Sequence, residues 1–406
     1  MQIIIIRLKI SGWIMSTSSR THVLLLIPVA LAFLLATPQS SGAHSEPSEN
    51  GAVKSCETSM EQLRRCYEQS PSLWPPPIID DRVEFEELGL LPRPPEPDLR
   101  EKKLRALGER LFFDPILSGS GQITCASCHH PDQRFADGRR TSNGHSFQEG
   151  ARNSPSLLNT GLHRTWFWDG RAASLAEQAI EPMLNPVEMA GTREGIESRL
   201  NNSKHYRTEF QEIFEGQAIT LEHAGEALEA WQGTLRSRSA PFDRFLGGNT
   251  NALSDQALLG LHLFRTKARC ANCHMGPLLS DQKFHNIGLT YYGRKLEDLG
   301  RYNITKEPAD VGRFRTPPLR DVAATGPYMH TGNFPHLRGI LSMYNAGAPR
   351  PKPKENQLKD PLFPATSSLL QPLNLDQHEL NALESFLLSL TSGTGNRRVI
   401  GTEMEK

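Results

Sequence analysis

The chain has no surplus of charge: 45 Lys and Arg offset 45 Asp and Glu, so the formal net charge is zero. Residues 1–43 hold Arg7, Lys9 and Arg20 and no acid, and without them 42 basic side chains face 45 acidic ones. A near-neutral surface argues against nucleic acid as a partner. Long apolar runs are also scarce. The run at residues 23–36 has 14 residues, short of the roughly 20 that a membrane-spanning helix needs. Cysteine is rare, at 6 in 406 residues, so each one asks for an explanation by position. Core material is not lacking: 37% of residues are apolar, and the length suggests two or three globular domains.

Four of the six cysteines fall in two copies of one pattern, Cys125-Ala126-Ser127-Cys128-His129 and, 145 residues downstream, Cys270-Ala271-Asn272-Cys273-His274. Two cysteines at this spacing reach both vinyl groups of one haem as thioethers, and the histidine directly after the second is set to ligate the iron. The competing readings are a redox Cys-x-x-Cys pair and half of a zinc site. The pattern's repetition in a chain so poor in cysteine points to two covalently bound haem c groups. Cys56 and Cys66 have no following histidine, and in an oxidising compartment their expected use is a disulfide. On one continuous helix they would lie about 15 Å apart, so a bridge requires the chain to turn back between them.

Residues 1–43 read as a signal or targeting segment: Arg20 precedes the apolar run, and the small residues Ser40 to Ala43 follow it. Residues 44–100 hold the cysteine pair and a stretch with Pro75, Pro76, Pro77, Pro94 and Pro95, expected to be an extended strap without chemistry of its own. Helical spacing resumes with Leu104, Leu107, Leu111 and Phe112, ending near Asp114-Pro115, just before the first haem motif. Leu258, Leu261 and Phe264 repeat the arrangement before the second, and Leu380, Leu383, Phe386, Leu387 and Leu390 form a closing helix. The expected fold is mainly α, with two cytochrome c-like haem domains in tandem, at residues 101–250 and 251–406.

Several phrases in this order resemble the bacterial di-haem cytochrome c peroxidases and their relative MauG. They are Leu111-Phe-Phe-Asp-Pro, Arg152-Asn-Ser-Pro155, Phe167-Trp-Asp-Gly-Arg171, Asn185-Pro-Val-Glu-Met189 and Phe314-Arg-Thr-Pro317, within a stretch from about Leu104 to Leu390. The resemblance implies a peroxide-reacting haem in the first haem domain, an electron-transferring haem in the second, and a calcium ion between them. Splitting peroxide requires a group that carries a proton from its inner to its outer oxygen, and a carboxylate serves. Glu188 matches the family's acid/base glutamate, Gln178 a glutamine of the same pocket, and Trp168 the indole between the haems. His145 matches a histidine that peroxidases of the family use as a removable sixth iron ligand, released when the other haem is reduced. Asn153, with the carbonyls of Thr325 and Pro327, matches the calcium ligands, and hard oxygen donors suit that ion.

The second haem needs a ligand opposite His274. Leu337, Ile340, Leu341 and Tyr344 share one helical face, from which Met343 points about 100° away. Tyr344 stands where cytochrome c peroxidases have methionine and MauG has tyrosine; Met343 or Met329 is the alternative ligand. A phenolate stabilises highly oxidised iron better than a thioether does. Tyr344 therefore leans toward MauG-like oxidation of a tryptophan or tyrosine on a partner protein by hydrogen peroxide. His145 leans toward a cytochrome c peroxidase that detoxifies hydrogen peroxide with electrons from a small cytochrome or copper protein. The third reading is an electron carrier or haem sensor, which has no use for Glu188 or Gln178. Family habit adds a periplasmic location and a possible homodimer.

Overall fold

Most of the longer helices begin where a short polar side chain receives a backbone amide, and the computed structural model describes residue 56 and residues 58–393. Ser59 accepts from the Gln62 amide to start α1 (Met60–Tyr67), and Asp98 accepts from Glu101 to start α2 (Leu99–Phe113). Asp114-Pro115 ends α2 where the sequence places its stop. Then come α3 (Leu175–Leu184), α4 (Arg193–Asn202), α5 (Lys204–Ile213), α6 (Leu221–Gln232), α7 (Pro241–Leu246), α8 (Asp255–Arg265), the short α9 (Tyr302–Thr305), α10 (Leu337–Asn345) and α11 (Gln377–Ser389). Strands are few. Antiparallel β1 (Phe284–His285) and β2 (Phe314–Arg315) pair Phe284 with Arg315 and His285 with Phe314. The fold is mainly α. The candidate signal at residues 1–43 lies outside the described residues, as do residues 394–406. No helix of the described residues is long and apolar enough to cross a membrane.

Apolar side chains gather in two clusters that repeat one design. In the first, Leu104, Leu107, Leu111 and Phe112 of α2 pack on Leu221, Leu228 and Trp231 of α6. In the second, Leu258, Leu261 and Phe264 of α8 pack on Leu380, Leu383 and Phe386 of α11. Each pair crosses at a glycine. A Cβ at Gly108 would lie 1.8 Å from the Ala227 carbonyl oxygen, and one at Gly260 would lie 2.0 Å from that of Ala382. Backbone meets backbone in both places, which only glycine permits.

The stretch before α2 is part of this packing. Leu63, Tyr67, Trp74 and Leu88 are buried members of the second cluster. Residues 75–98 form no helix or strand, yet they hydrogen-bond to the second haem-motif region: Ile78 to the Arg265 carbonyl, Asp80 to Asn272 Oδ1, and the Gly276 amide to Glu86. Cys56 and Cys66 form a disulfide with 6.1 Å between their Cα atoms. The required turn lies ahead of the helix, because α1 starts only after Ser59, whose backbone is extended.

Candidate active site

The two Cys-x-x-Cys-His motifs fold alike. Each forms a single 3₁₀ turn, Cys125–Ser127 and Cys270–Asn272, and the histidine amide donates to the first cysteine's carbonyl at 3.0 Å and 2.9 Å respectively. None of the four cysteines is in a disulfide, and Cys270, Cys273 and His274 line one cavity. His129 Nδ1 lies 3.0 Å from the Phe135 carbonyl oxygen, and His274 Nδ1 lies 2.9 Å from that of Leu279. A carbonyl only accepts, so Nδ1 carries the proton in both rings and Nε2 is left with its lone pair for a metal. Burial holds both imidazoles below the usual histidine pKa, which keeps them neutral and able to ligate.

Glu188 stands on the first motif's side of the molecule: burial raises the Cys128 thiol pKa, and the charges of Asp137 and Glu188 add to the rise. Its loop starts at Asn185, which caps α3 and ties the loop together with both ends of its amide: Oδ1 accepts from the Val187 amide at 2.9 Å, and Nδ2 donates to Glu188 Oε1 at 2.9 Å. Burial raises the Glu188 carboxyl above its ordinary range, the Arg171 charge opposes, and Glu181 adds to the rise. The loop bearing His145 rests on this one. The His145 amide donates to the carbonyls of Val187 (2.9 Å) and Glu188 (2.7 Å). A Cβ on Gly144 would lie 2.2 Å from the Val187 oxygen. Beyond His145, Ser146 and Phe147 adopt left-handed backbone (φ 55° and 59°), and Phe147 is 88% exposed. Gln178 sits half-buried on α3, the helix that Asn185 closes.

The second motif opens on a cavity whose wall includes Cys270, Cys273, His274, Tyr344, Trp168 and Met329. Tyr344 is half-buried because its ring faces this space, and it is close enough to Cys273 and Cys270 to feel their charge. Met343, on the same helix, is not part of the wall, whereas Met329 is. Leu337, Ile340, Leu341, Leu383 and Leu387 make the box apolar, as a macrocycle requires. Its polar demand is also visible. Arg315 Nη1, Arg269 Nε and both ring nitrogens of His163 line or border the same space, are buried, and have no protein partner. Buried polar atoms without a partner are costly, and the carboxylates of a haem are of the right sign to meet the two guanidinium groups. The donor set and the box both fit a c-type haem.

Trp168 donates from Nε1 to the Asn153 carbonyl at 2.9 Å. Next to it, Asp169 receives Arg152 (2.6 Å) and Arg171, and Arg152 also reaches Asp298 with two nitrogens at 2.7 and 2.8 Å. An ion chain therefore runs from Arg171, beside Glu188, past the indole to Asp298. Asn153 donates its Nδ2 to the Arg139 carbonyl at 2.9 Å, which leaves Oδ1 available. Asn153, Thr325 and Pro327 border the cavity together, and their oxygens are of the kind calcium takes. Sequence reasoning passed over Arg171 and Arg315, although both stand in the phrases shared with the family, and over His163 and Arg269. No periodicity marks them, because tertiary approach alone gives them their surroundings.

Four likenesses bear on this arrangement. The sequence pattern of the family described as di-haem cytochrome c peroxidase matches residues 102–251. The chain is 36% identical over 321 residues to the methylamine utilization protein MauG of Methylophilus methylotrophus, covering 78% of this chain and 90% of that one. It is 33% identical over 335 residues to the cytochrome-c peroxidase IdrP1 of Pseudomonas sp. (strain SCT), covering 74% and 85%. Among solved structures, it is similar to a MauG-like protein associated with microbial copper homeostasis, with a TM-score of 0.64, 28% identity, and coverage of 76% and 94%.

Proposed function

The chain belongs to the family of di-haem cytochrome c peroxidases and MauG, and from that premise we propose that it uses hydrogen peroxide to oxidise a tryptophan or tyrosine of a partner protein. The family implies two c-type haems, and these, when bound, supply the redox-active iron that accepts peroxide and holds its oxidising equivalents. The observation that carries the proposal is Tyr344 on the cavity wall beside Cys270, Cys273 and His274. Tyr344 and His274 would hold the second haem, and a phenol oxygen as ligand would favour a highly oxidised metal over a rapidly reduced one.

The remaining steps belong to the chain's own side chains. Glu188 takes the proton from one peroxide oxygen and returns it to the other, so that water leaves. Asn185 Nδ2 occupies Oε1, so the proton travels on Oε2. Gln178 orients the peroxide in the same pocket. Trp168, fixed by its bond to Asn153 and by the ions around Asp169, relays charge between the two centres. Asn153 Oδ1 with the Thr325 and Pro327 carbonyls holds calcium where the two halves meet. The haem domains are residues 101–250 and 251–406, and the candidate export signal at residues 1–43, with covalent haem attachment, supports a periplasmic enzyme.

A second reading has its own observation. The His145 loop lies directly on the Glu188 loop, the position from which a removable iron ligand would gate peroxide entry in a cytochrome c peroxidase supplied by a small electron donor. Tyr344→Met separates the two. Steady-state peroxide turnover with reduced cytochrome c should rise at least several-fold in the variant if Tyr344 blocks that route. No gain would remove the support for the partner-oxidation reading.

A further inference from the structure

A buried phenol that the proposed chemistry does not use lies behind the second motif. Tyr67, at the end of α1, is 1% exposed, and its hydroxyl lies 3.0 Å from Nδ1 of His262 on α8, itself buried. Arg265 Nη1 donates to the same hydroxyl at 3.1 Å. Arg265 can only donate and so takes a lone pair of the phenol oxygen; in the His262 tautomer that carries its proton on Nε2, the phenol proton points to Nδ1. The Arg265 charge is balanced by Glu87, which its guanidinium contacts through Nε and Nη2. A proton arriving on His262 therefore meets a neutral ion pair rather than a bare cation.

The phenol does not stand alone. The Trp74 ring lies 5.1 Å from the Tyr67 ring, and its Nε1 donates to the Tyr67 carbonyl at 3.0 Å. Leu73, the preceding residue, is 65% exposed, so this end of the series reaches the surface. At the other end, His262 shares α8 with Phe264, whose ring lies 6.5 Å from that of His274. Tyr67, Trp74 and Phe264 are members of one packed cluster. Two oxidisable side chains, Trp74 and Tyr67, thus lie between the surface and the packing around the histidine of the second motif, with an imidazole beside the phenol that must lose a proton.

We propose that Tyr67 and Trp74 are a redox-active pair that drains oxidising equivalents from the second haem, with His262 as the proton acceptor. The proposal rests on the peroxide reading above. Reducing hydrogen peroxide to two waters withdraws two electrons from the protein. Tyr67 returns one: it loses an electron to the oxidised second centre, its O–H bond breaks, and the proton crosses to His262 Nδ1. The neutral phenoxyl regains an electron through Trp74 from an external one-electron donor, and the proton returns. A second passage supplies the second electron.

The test is freeze-quench EPR of the full holoprotein mixed with hydrogen peroxide, with optical spectra of the same samples. The parent should give an organic radical whose hyperfine pattern changes when its tyrosines are ring-deuterated. Tyr67→Phe should abolish that component and slow the decay of the peroxide-induced high-valent spectrum at least threefold, with haem content unchanged. His262→Gln, which keeps a polar side chain without an effective base, should also abolish the radical. Trp74→Phe should retain it and lengthen its life. If the high-valent spectrum forms in parent and variants but the radical and the decay are the same in all, the pair is structural and the proposal is overturned. An unchanged radical lifetime in Trp74→Phe removes Trp74 from the route. If no high-valent spectrum forms in the parent, the peroxide reading itself is wrong, and this proposal falls with it.

Discussion

The backbone amide of His145 donates to the carbonyl of Glu188 at 2.7 Å. The loop that would gate the first centre and the loop that bears its acid are thus one hydrogen-bonded unit. Motion of one changes the aim of the other.

Gly144 makes this contact possible, since a Cβ there would run into the Val187 oxygen at 2.2 Å and the Glu188 oxygen at 2.7 Å. Gly144→Ala should push the two loops apart and slow the peroxide reaction by about tenfold or more, in line with the cost of a misplacement near 1 Å. Stopped-flow absorbance at fixed haem content checks it, and a rate within twofold of the parent would mean that the contact does not govern reactivity.

The charges around Glu188 set a sign for pH dependence. Burial raises its pKa, so the carboxylate that accepts the peroxide proton in the proposed reaction would be lost already above the ordinary glutamate range as pH falls. The acid limb of the peroxide reaction should follow that raised value. Arg171→Gln removes the opposing charge and should move the limb to higher pH, and Glu181→Gln should move it lower. Profiles that do not move in opposite directions would contradict the role given to these neighbours.

The two glycine crossings make a matched pair. Gly108→Ala and Gly260→Ala each force a methyl group onto a carbonyl oxygen across a helix pair, an overpacking that costs about 1–3 kcal/mol. The gain in helix propensity, about 1 kcal/mol, does not offset a backbone clash. Gly225→Ala is the milder comparison, because its Cβ would meet Ile180 Cδ1 at 3.0 Å and the Ala176 carbonyl oxygen at 3.1 Å, tight contacts but not the overlap of the two crossings. Thermal or urea unfolding should rank both crossing variants below Gly225→Ala.

Much of this was legible from residues alone, for identifiable reasons. Thioether chemistry fixes the spacing of Cys125, Cys128 and His129, and helical periodicity marks Leu104 to Phe112 and Leu258 to Phe264, so cofactor and core helices could be read directly. The Tyr344 face was legible for the same reason, since an apolar stripe at helical spacing shows which side turns inward. The integration of Tyr67 and Trp74 into the second core was not, because the proline-rich chain around them has no periodicity to read. Nor was the approach of His145 to Glu188, 43 residues apart in sequence, or the gathering of Arg315, Arg269 and His163 on one cavity. Those depend on loops with left-handed residues such as Ser146, Phe147 and Arg269, whose course no local pattern encodes.

The central claim is that Glu188 carries the proton that splits peroxide at the first centre. Rapid mixing of hydrogen peroxide with the parent holoprotein and with Glu188→Gln, followed by absorbance in both haem bands, tests it most directly. The parent should pass rapidly to a high-valent spectrum, and the variant should reach it at least about 100-fold more slowly, the scale of a lost acid/base group. The same spectrum at the same rate in Glu188→Gln would contradict that claim.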